Sequence, residues 1–136
     1  MKHVLALFSM VLILSCSKSD TILSANELVG TWRLITYCKP TSDSTCTSVT
    51  VPSDKGVFIS FDNTGRFNEF YENTKPVDYS FLGCGGGSYE LEGGNLRIRA
   101  VCMSSLSGRL VKLVSTSGNR LTLNPFGPGD YVFVMK

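Results

Sequence analysis

Histidine is almost missing from this 136-residue chain, in which His3 is the only one. A Ser-His-Asp triad, a Cys-His dyad and a histidine metal site each need histidine in the folded protein. No C-x-x-C pair occurs, which argues against a zinc ribbon or a thioredoxin-like site. Since His3 lies in a segment that we expect to be removed, the sequence predicts no metal site, no cofactor and no enzyme activity.

Long apolar runs are also scarce. The longest is VLALFSMVLIL, residues 4–14, which is shorter than the ~20 residues of a membrane-spanning helix. It follows a short basic segment and has the length of a signal-peptide core. The motif Ile13-Leu14-Ser15-Cys16 that comes next resembles the lipobox of bacterial lipoproteins. The resemblance implies that residues 1–15 are a cleaved signal peptide.

Cys16 would then be the first residue of the mature protein and would carry the lipid. Bacterial lipoproteins carry a diacylglyceryl group and an N-acyl chain such as palmitate on this residue, and two or more chains anchor stably. We therefore expect the membrane to be a partner through Cys16. The next residue, Ser17, is not the Asp of an inner-membrane retention signal. The expected location is the outer membrane, on its periplasmic or its surface face.

The charges are nearly balanced, with 13 Lys and Arg against 11 Asp and Glu. The sequence shows no clustered basic patch, so it predicts no nucleic-acid partner.

Short strand-like segments separated by turn residues follow a polar tether, residues 16–27. The tether ends in Ser24-x-x-Glu27, which fits a capping box and predicts one helical turn. A long loop is expected over residues 38–54. The predicted strands are 31–37, 56–61, 66–72, 77–82, 88–92, 95–101, 109–115, 120–124 and 130–135.

The segment 88–99 gives the clearest local pattern. A two-residue Gly93-Gly94 loop pairs Tyr89 with Ile98 and Glu90 with Arg97. Apolar residues then share one face and charged residues the other, which is typical of a half-buried antiparallel hairpin.

Four cysteines remain after Cys16, and an even number in an exported chain predicts two disulfides out of three pairings. When the hairpin register is extended, Cys84 and Cys102 miss one another by a single residue. A β-bulge in the Gly-rich stretch would align them. We therefore favour Cys84–Cys102, which leaves Cys38–Cys46.

One carboxylate could lie among apolar side chains. If Phe61 pairs with Phe67, then Glu69 and Tyr71 share a face with apolar residues of the preceding strand. A buried carboxylate is costly and often functional. The alternative is that this face is the outer one, or that a bulge turns Glu69 to water. Glu69, Tyr71 and Tyr89 are the candidate residues of a lumen or ligand site.

A family resemblance joins these observations. The segment Leu28-Val29-Gly30-Thr31-Trp32 resembles the G-x-W signature that opens lipocalin-like barrels, where the Trp closes one barrel end. The stretches FDNTGRF, YELEGGNLRI and NRLTL resemble the lipocalin-like domain of envelope lipoproteins. The resemblance implies an all-β fold over residues 28–136, a small up-and-down antiparallel barrel of about 8–9 short strands. Gly83-Cys84 and Val101-Cys102-Met103 also partly resemble the META domain.

Two functions remain open at this point. Lipocalin-like proteins often hold a small apolar ligand in the barrel. Alternatively, the barrel core is filled and the protein is a structural or protein-interaction module of the envelope, as in META-like proteins. The volume of the aromatic side chains inside the barrel distinguishes the two.

Overall fold

The computed structural model describes residues 24–136, which form a single antiparallel sheet closed into a barrel. Its elements are a 3-10 turn (Ala25–Glu27), β1 (Gly30–Pro40), β2 (Cys46–Thr50), β3 (Gly56–Phe61), β4 (Arg66–Glu72), β5 (Gly86–Glu92), β6 (Asn95–Ala100), β7 (Arg109–Ser117), β8 (Arg120–Asn124) and β9 (Tyr131–Met135). The predicted signal peptide, Cys16 and most of the tether lie outside the described residues.

The strands from β3 to β9 pair in chain order, β1 pairs with β3, and β1 closes the barrel by pairing with β9. Eight strands form the closed wall, and β2 is an additional strand paired only with the far half of β1. The prediction of an all-β barrel with eight or nine strands and an N-terminal turn is confirmed. Within residues 24–136, no helix has the length and apolar character needed to cross a bilayer.

The register of the β5–β6 hairpin and both disulfides agree with the predictions from the sequence. Tyr89 lies opposite Ile98 and Glu90 opposite Arg97, as expected. The disulfides are Cys38–Cys46 and Cys84–Cys102. The expected bulge is not what aligns the second pair. β5 begins at Gly86 and β6 ends at Ala100, so this disulfide joins the two loops beyond the strands.

Two strand predictions were wrong. Residues 77–82 are not a strand but part of a loop, residues 73–85, that folds against the barrel. The N–H groups of Phe81 and Leu82 find an acceptor in a side chain instead of a neighbouring strand, as described below. Residues 46–50, expected inside a loop, form β2, because the Cys38–Cys46 disulfide brings this segment beside β1.

A bulge in β1 changes which residues face the core. Simple alternation from Trp32 would put Tyr37 on the outer face, with Arg33 and Ile35. Instead Leu34 lies opposite Phe133 and Thr36 opposite Val132, so Ile35 is an extra residue against β9. An extra residue reverses the alternation beyond it. Tyr37 is therefore buried and stacks on Tyr131 at 4.9 Å.

The barrel interior is packed with side chains. Those with no exposed surface include Trp32, Leu34, Val57, Ile59, Leu96, Ile98, Val111, Leu121, Leu123 and Phe133. A side chain beside a void of water size or larger would have exposed surface there. These side chains therefore leave no such void between them.

Candidate functional site

The two barrel ends differ in character. At one end, the turn end, the strands are joined by short turns at residues 62–65, 93–94 and 118–119. At the other, the loop end, they are joined by the longer loops 73–85, 101–108 and 125–130. Loops on a rigid scaffold are where binding residues concentrate, so the loop end is the candidate site.

Trp32 closes the turn end. Its side chain is fully buried, and its indole N–H donates to the carbonyl of Leu28 at 2.8 Å. The turn before it is held in place because the Ser24 N–H donates to the Glu27 carboxylate at 3.0 Å. Gly30 begins β1 with φ of 144°, in the region that favours glycine. Gly30 and Trp32 thus lie together at the end where the chain enters the barrel.

Glu69 lies at the loop end and is 3% exposed. Its carboxylate accepts hydrogen bonds from the backbone N–H groups of Phe81, Leu82 and Gly83, at 3.0, 3.1 and 2.9 Å. The Tyr71 hydroxyl donates to the same carboxylate. Successive backbone N–H groups of this kind make an anion-binding concavity. Here the occupant is the protein's own side chain, and no cation among residues 24–136 pairs with it.

Of the two alternatives for Glu69, the structure therefore has the buried one, and the barrel wall explains its position. β4 pairs with β5 only through residues 66–68. From Glu69 onward that side of β4 has no strand partner, and loop 73–85 takes the place of one. The backbone N–H of Glu69 donates to the carbonyl of Gly85 in this loop at 2.6 Å, so the loop supplies the partner that β5 does not.

The surroundings of this site raise the pKa of two nearby tyrosines, Tyr71 and Tyr131. Burial raises the pKa of the Tyr71 hydroxyl, and its hydrogen bond to the Glu69 carboxylate and the charge of that group raise it further. Burial also raises the pKa of Tyr131 to about 12, with smaller contributions from Tyr37 and Glu69. Tyr71 and Tyr131 are thus neutral at physiological pH.

Tyr89, the third candidate lumen residue, does not join this group. Its hydroxyl donates to the carbonyl of Asp62 at 2.7 Å, at the turn end. Its ring packs edge-on against Phe61 at 4.9 Å. The structure brings Glu69 and Tyr71 together and leaves Tyr89 near the opposite end.

Phe81 is the residue of loop 73–85 that enters the barrel. It is 1% exposed and packs edge-on against Tyr131 at 5.6 Å and Phe133 at 5.3 Å. We call the Phe81 ring the plug, because it fills the opening of the barrel at the loop end. The alternation of residues 77–82 does not distinguish such a side chain from an ordinary strand residue. The sequence signal nearby was Gly83 and Gly85, whose φ of 72° and 71° turn the chain back toward β5.

Two grooves lined by both polar and apolar side chains flank Phe81 at the loop end. One, of about 260 Å³, lies beside the Cys84–Cys102 disulfide, and the other, of about 200 Å³, lies beside Tyr37. Leu82 and Phe126 border both. The Arg109 guanidinium lies 4.8 Å from the centre of the Phe126 ring at the rim. These loop residues were not predicted, because only their convergence in the fold marks them.

Exposed apolar side chains also concentrate on these loops. Val77 is 84% exposed, Val101 is 95% exposed and Leu106 is 98% exposed. Each lies on a loop at the loop end. Val77 borders the groove beside Tyr37, whereas Val101 borders a different groove, beside Ser60 and Asn68. Within the described chain, no three His, Cys, Asp or Glu residues are grouped so that they could hold a metal ion.

Comparison with known proteins agrees with this architecture. The family model of the lipocalin-like domain matches residues 28–123. A lipocalin-like protein from Bacteroides uniformis has a crystal structure that matches with a TM-score of 0.53 at 19% identity, covering 81% of this chain and 99% of that one. A protein from Bacteroides eggerthii matches with a TM-score of 0.43 at 17% identity, over 80% and 99% of the two chains. The comparison with curated proteins gave no match.

The fold is thus that of a small lipocalin-like barrel, with its Trp-closed end and its loop end. The family match spans most of the described residues, and the chain belongs to the lipocalin-like domain family.

Proposed function

We propose that this chain is a lipid-anchored protein of the bacterial cell envelope that binds a small apolar ligand at the loop end of its barrel. Residues 1–15 are the signal peptide, Cys16 with residues 17–27 is the lipidated tether, and residues 28–136 are the binding domain. The motif Ile13-Leu14-Ser15-Cys16 supports the anchor. The two disulfides support a location outside the reducing cytoplasm.

The observation that carries ligand binding is the difference between the two ends. Both ends carry grooves, and the one beside Gly118 and Met135 at the turn end has a volume of about 350 Å³. The turn end is closed by the buried Trp32 and short turns, whereas the loop end adds exposed apolar side chains and the inserted ring of Phe81. Such a surface suits a small apolar molecule or apolar group. The amphipathic rim at Arg109 and Phe126 allows a polar or anionic part of the ligand to stay near water.

A second candidate is a structural or protein-interaction module without a ligand. It is favoured by the packed interior, in which inward side chains such as Trp32, Ile59 and Phe133 have no exposed surface. We infer no catalysis in either case. The buried carboxylate of Glu69 is already committed to four donors, and residues 24–136 contain no histidine.

Native mass spectrometry of the protein purified from its own host's membranes tests both the lipid anchor and the bound ligand. The anchor predicts a mature chain that begins at Cys16 and carries covalent acyl mass, which a Cys16→Ala chain lacks. Ligand binding predicts a second, noncovalent mass that is lost on gentle activation. A ligand-free spectrum together with a stoichiometric protein partner would favour the structural module instead.

A further inference from the structure

The Phe81 ring occupies space inside the barrel although its backbone belongs to a loop. It packs against Tyr131 and Phe133, which point inward from β9. The loop on both sides of it is much more exposed, with Val77 at 84%. The loop thus inserts one aromatic ring into the barrel mouth, where an apolar ligand could sit.

The attachment of this ring is local. The backbone of Phe81, Leu82 and Gly83 is tied to the barrel through one side chain, the carboxylate of Glu69. The next tie is the Cys84–Cys102 disulfide, which anchors the loop just beyond the plug. Departure of residues 81–83 therefore breaks the hydrogen bonds to one carboxylate, which water must then solvate together with the freed N–H groups, while the disulfide keeps the loop close.

We propose that Phe81 is a built-in occupant of a binding site for a flat apolar group of phenyl size, and that ligand entry displaces residues 81–83 from Glu69. This inference rests on the proposed apolar ligand and adds where it binds. The exchange conserves the contacts with Tyr131 and Phe133, because an incoming ring takes the place of the Phe81 ring. The two grooves beside Leu82 provide the approach from solvent.

Hydrogen exchange on the complete wild-type protein gives the direct test, with N-phenyl-1-naphthylamine as the apolar probe. The amides of Phe81, Leu82 and Gly83 are protected by Glu69 in the structure. Displacement predicts that saturating probe speeds their exchange, while the amides of Tyr89 and Ile98 in the β5–β6 hairpin stay protected. Slower or unchanged exchange at residues 81–83 would overturn the inference.

Affinity measurements distinguish binding in the space that Phe81 occupies from binding at a surface site. If the plug competes with the probe, only molecules in which Phe81 has left the barrel can bind it. Removing the plug then raises the apparent affinity by a factor equal to the inverse of the fraction of such molecules in the wild type. We expect Phe81→Ala to tighten probe binding by about tenfold or more. Phe70→Ala is the matched control, since Phe70 stacks on Phe58 on the outer face and should leave the affinity unchanged.

Glu69→Gln weakens the attachment without creating a cavity, because Phe81 is kept. It should tighten binding by a smaller factor, on the order of threefold, while Glu90→Gln on the exposed face of β5 should not. If all variants bind like the wild type and residues 81–83 become more protected, the apolar ligand stands but the displaceable plug does not. If neither the wild type nor any variant binds the probe, both proposals fail.

Discussion

The indole N–H of Trp32 donates its hydrogen bond to the carbonyl of Leu28, four residues earlier, and both side chains are fully buried. The bond ties the N-terminal turn to the floor of the barrel. It gives the tryptophan two separable roles, as a packing group and as a donor, which two substitutions can distinguish.

Trp32→Ala should lower the free energy of unfolding by about 3–5 kcal/mol, since it empties a large buried aromatic site. Trp32→Phe keeps most of the packing but leaves the Leu28 carbonyl without its partner, at a cost of about 1–3 kcal/mol. Urea denaturation measures both. Because Trp32 is the only tryptophan, native emission should be blue-shifted and poorly quenched by iodide. Red-shifted, readily quenched emission would contradict the burial.

Glu69→Ala should destabilise the protein more than Tyr71→Phe. The alanine leaves three backbone donors and the Tyr71 hydroxyl without their acceptor. Each unsatisfied buried group costs about 1–3 kcal/mol, whereas removing one hydroxyl costs about 1 kcal/mol. Chemical denaturation shows which substitution lowers the free energy of unfolding more. Equal, small effects of the two substitutions would mean that water replaces the carboxylate.

Gly129→Ala should interfere with the Cys38–Cys46 disulfide. A Cβ added at Gly129 would overlap the Cβ of Cys38 and lie 2.7 Å from the Sγ of Cys46. We expect a lower thermal midpoint and a larger free-thiol fraction after oxidative refolding. Gly127→Ala is the control, because a Cβ there meets no atom within 4 Å and only its φ of 86° is strained. A free-thiol fraction no higher than that of the control would contradict the expected overlap.

Alkaline pH should destabilise the barrel through Tyr131. Its pKa rises from 10.0 to about 12 in the folded state, chiefly through burial. The unfolded state therefore loses the proton first, and stability falls as pH rises from about 10 to about 12. Below pH 10 this contribution is fully present. Denaturation series across this range should show a steeper loss in the wild type than in Tyr131→Phe, and equal slopes would exclude Tyr131 as a cause.

The sequence predicted the fold best where a tight turn sets the register. Gly93-Gly94 fixes the pairing of residues 88–92 with 95–99, and period-2 alternation then determines both faces. The cysteine pairs followed from the same register together with loop proximity. The strand bounds 56–61, 66–72 and 120–124 also match the structure.

The errors arise where long-range contacts decide local structure. Residues 77–82 alternate like a strand, yet the loop bends into the barrel because Glu69 accepts its N–H groups. No local pattern shows the extra residue at Ile35, which turns Tyr37 inward, since only the pairing with β9 reveals the bulge. Strand periodicity placed Glu69 and Tyr71 on one face, where the structure has them in contact, but it gave no sign that Phe81 enters the barrel.

Closure of the barrel by β1 and β9 also constrains how the chain folds. The other pairings in the wall join strands that are consecutive in the chain or, for β1 and β3, separated only by β2, but Trp32 meets Met135 across almost the whole described length. Forming that contact carries the largest loop-closure entropy of the sheet, so it is expected to form late. Until the last strand is synthesised, β1 is an open edge able to pair with other chains. Truncating β9 should therefore produce aggregation during biogenesis rather than a slightly smaller barrel.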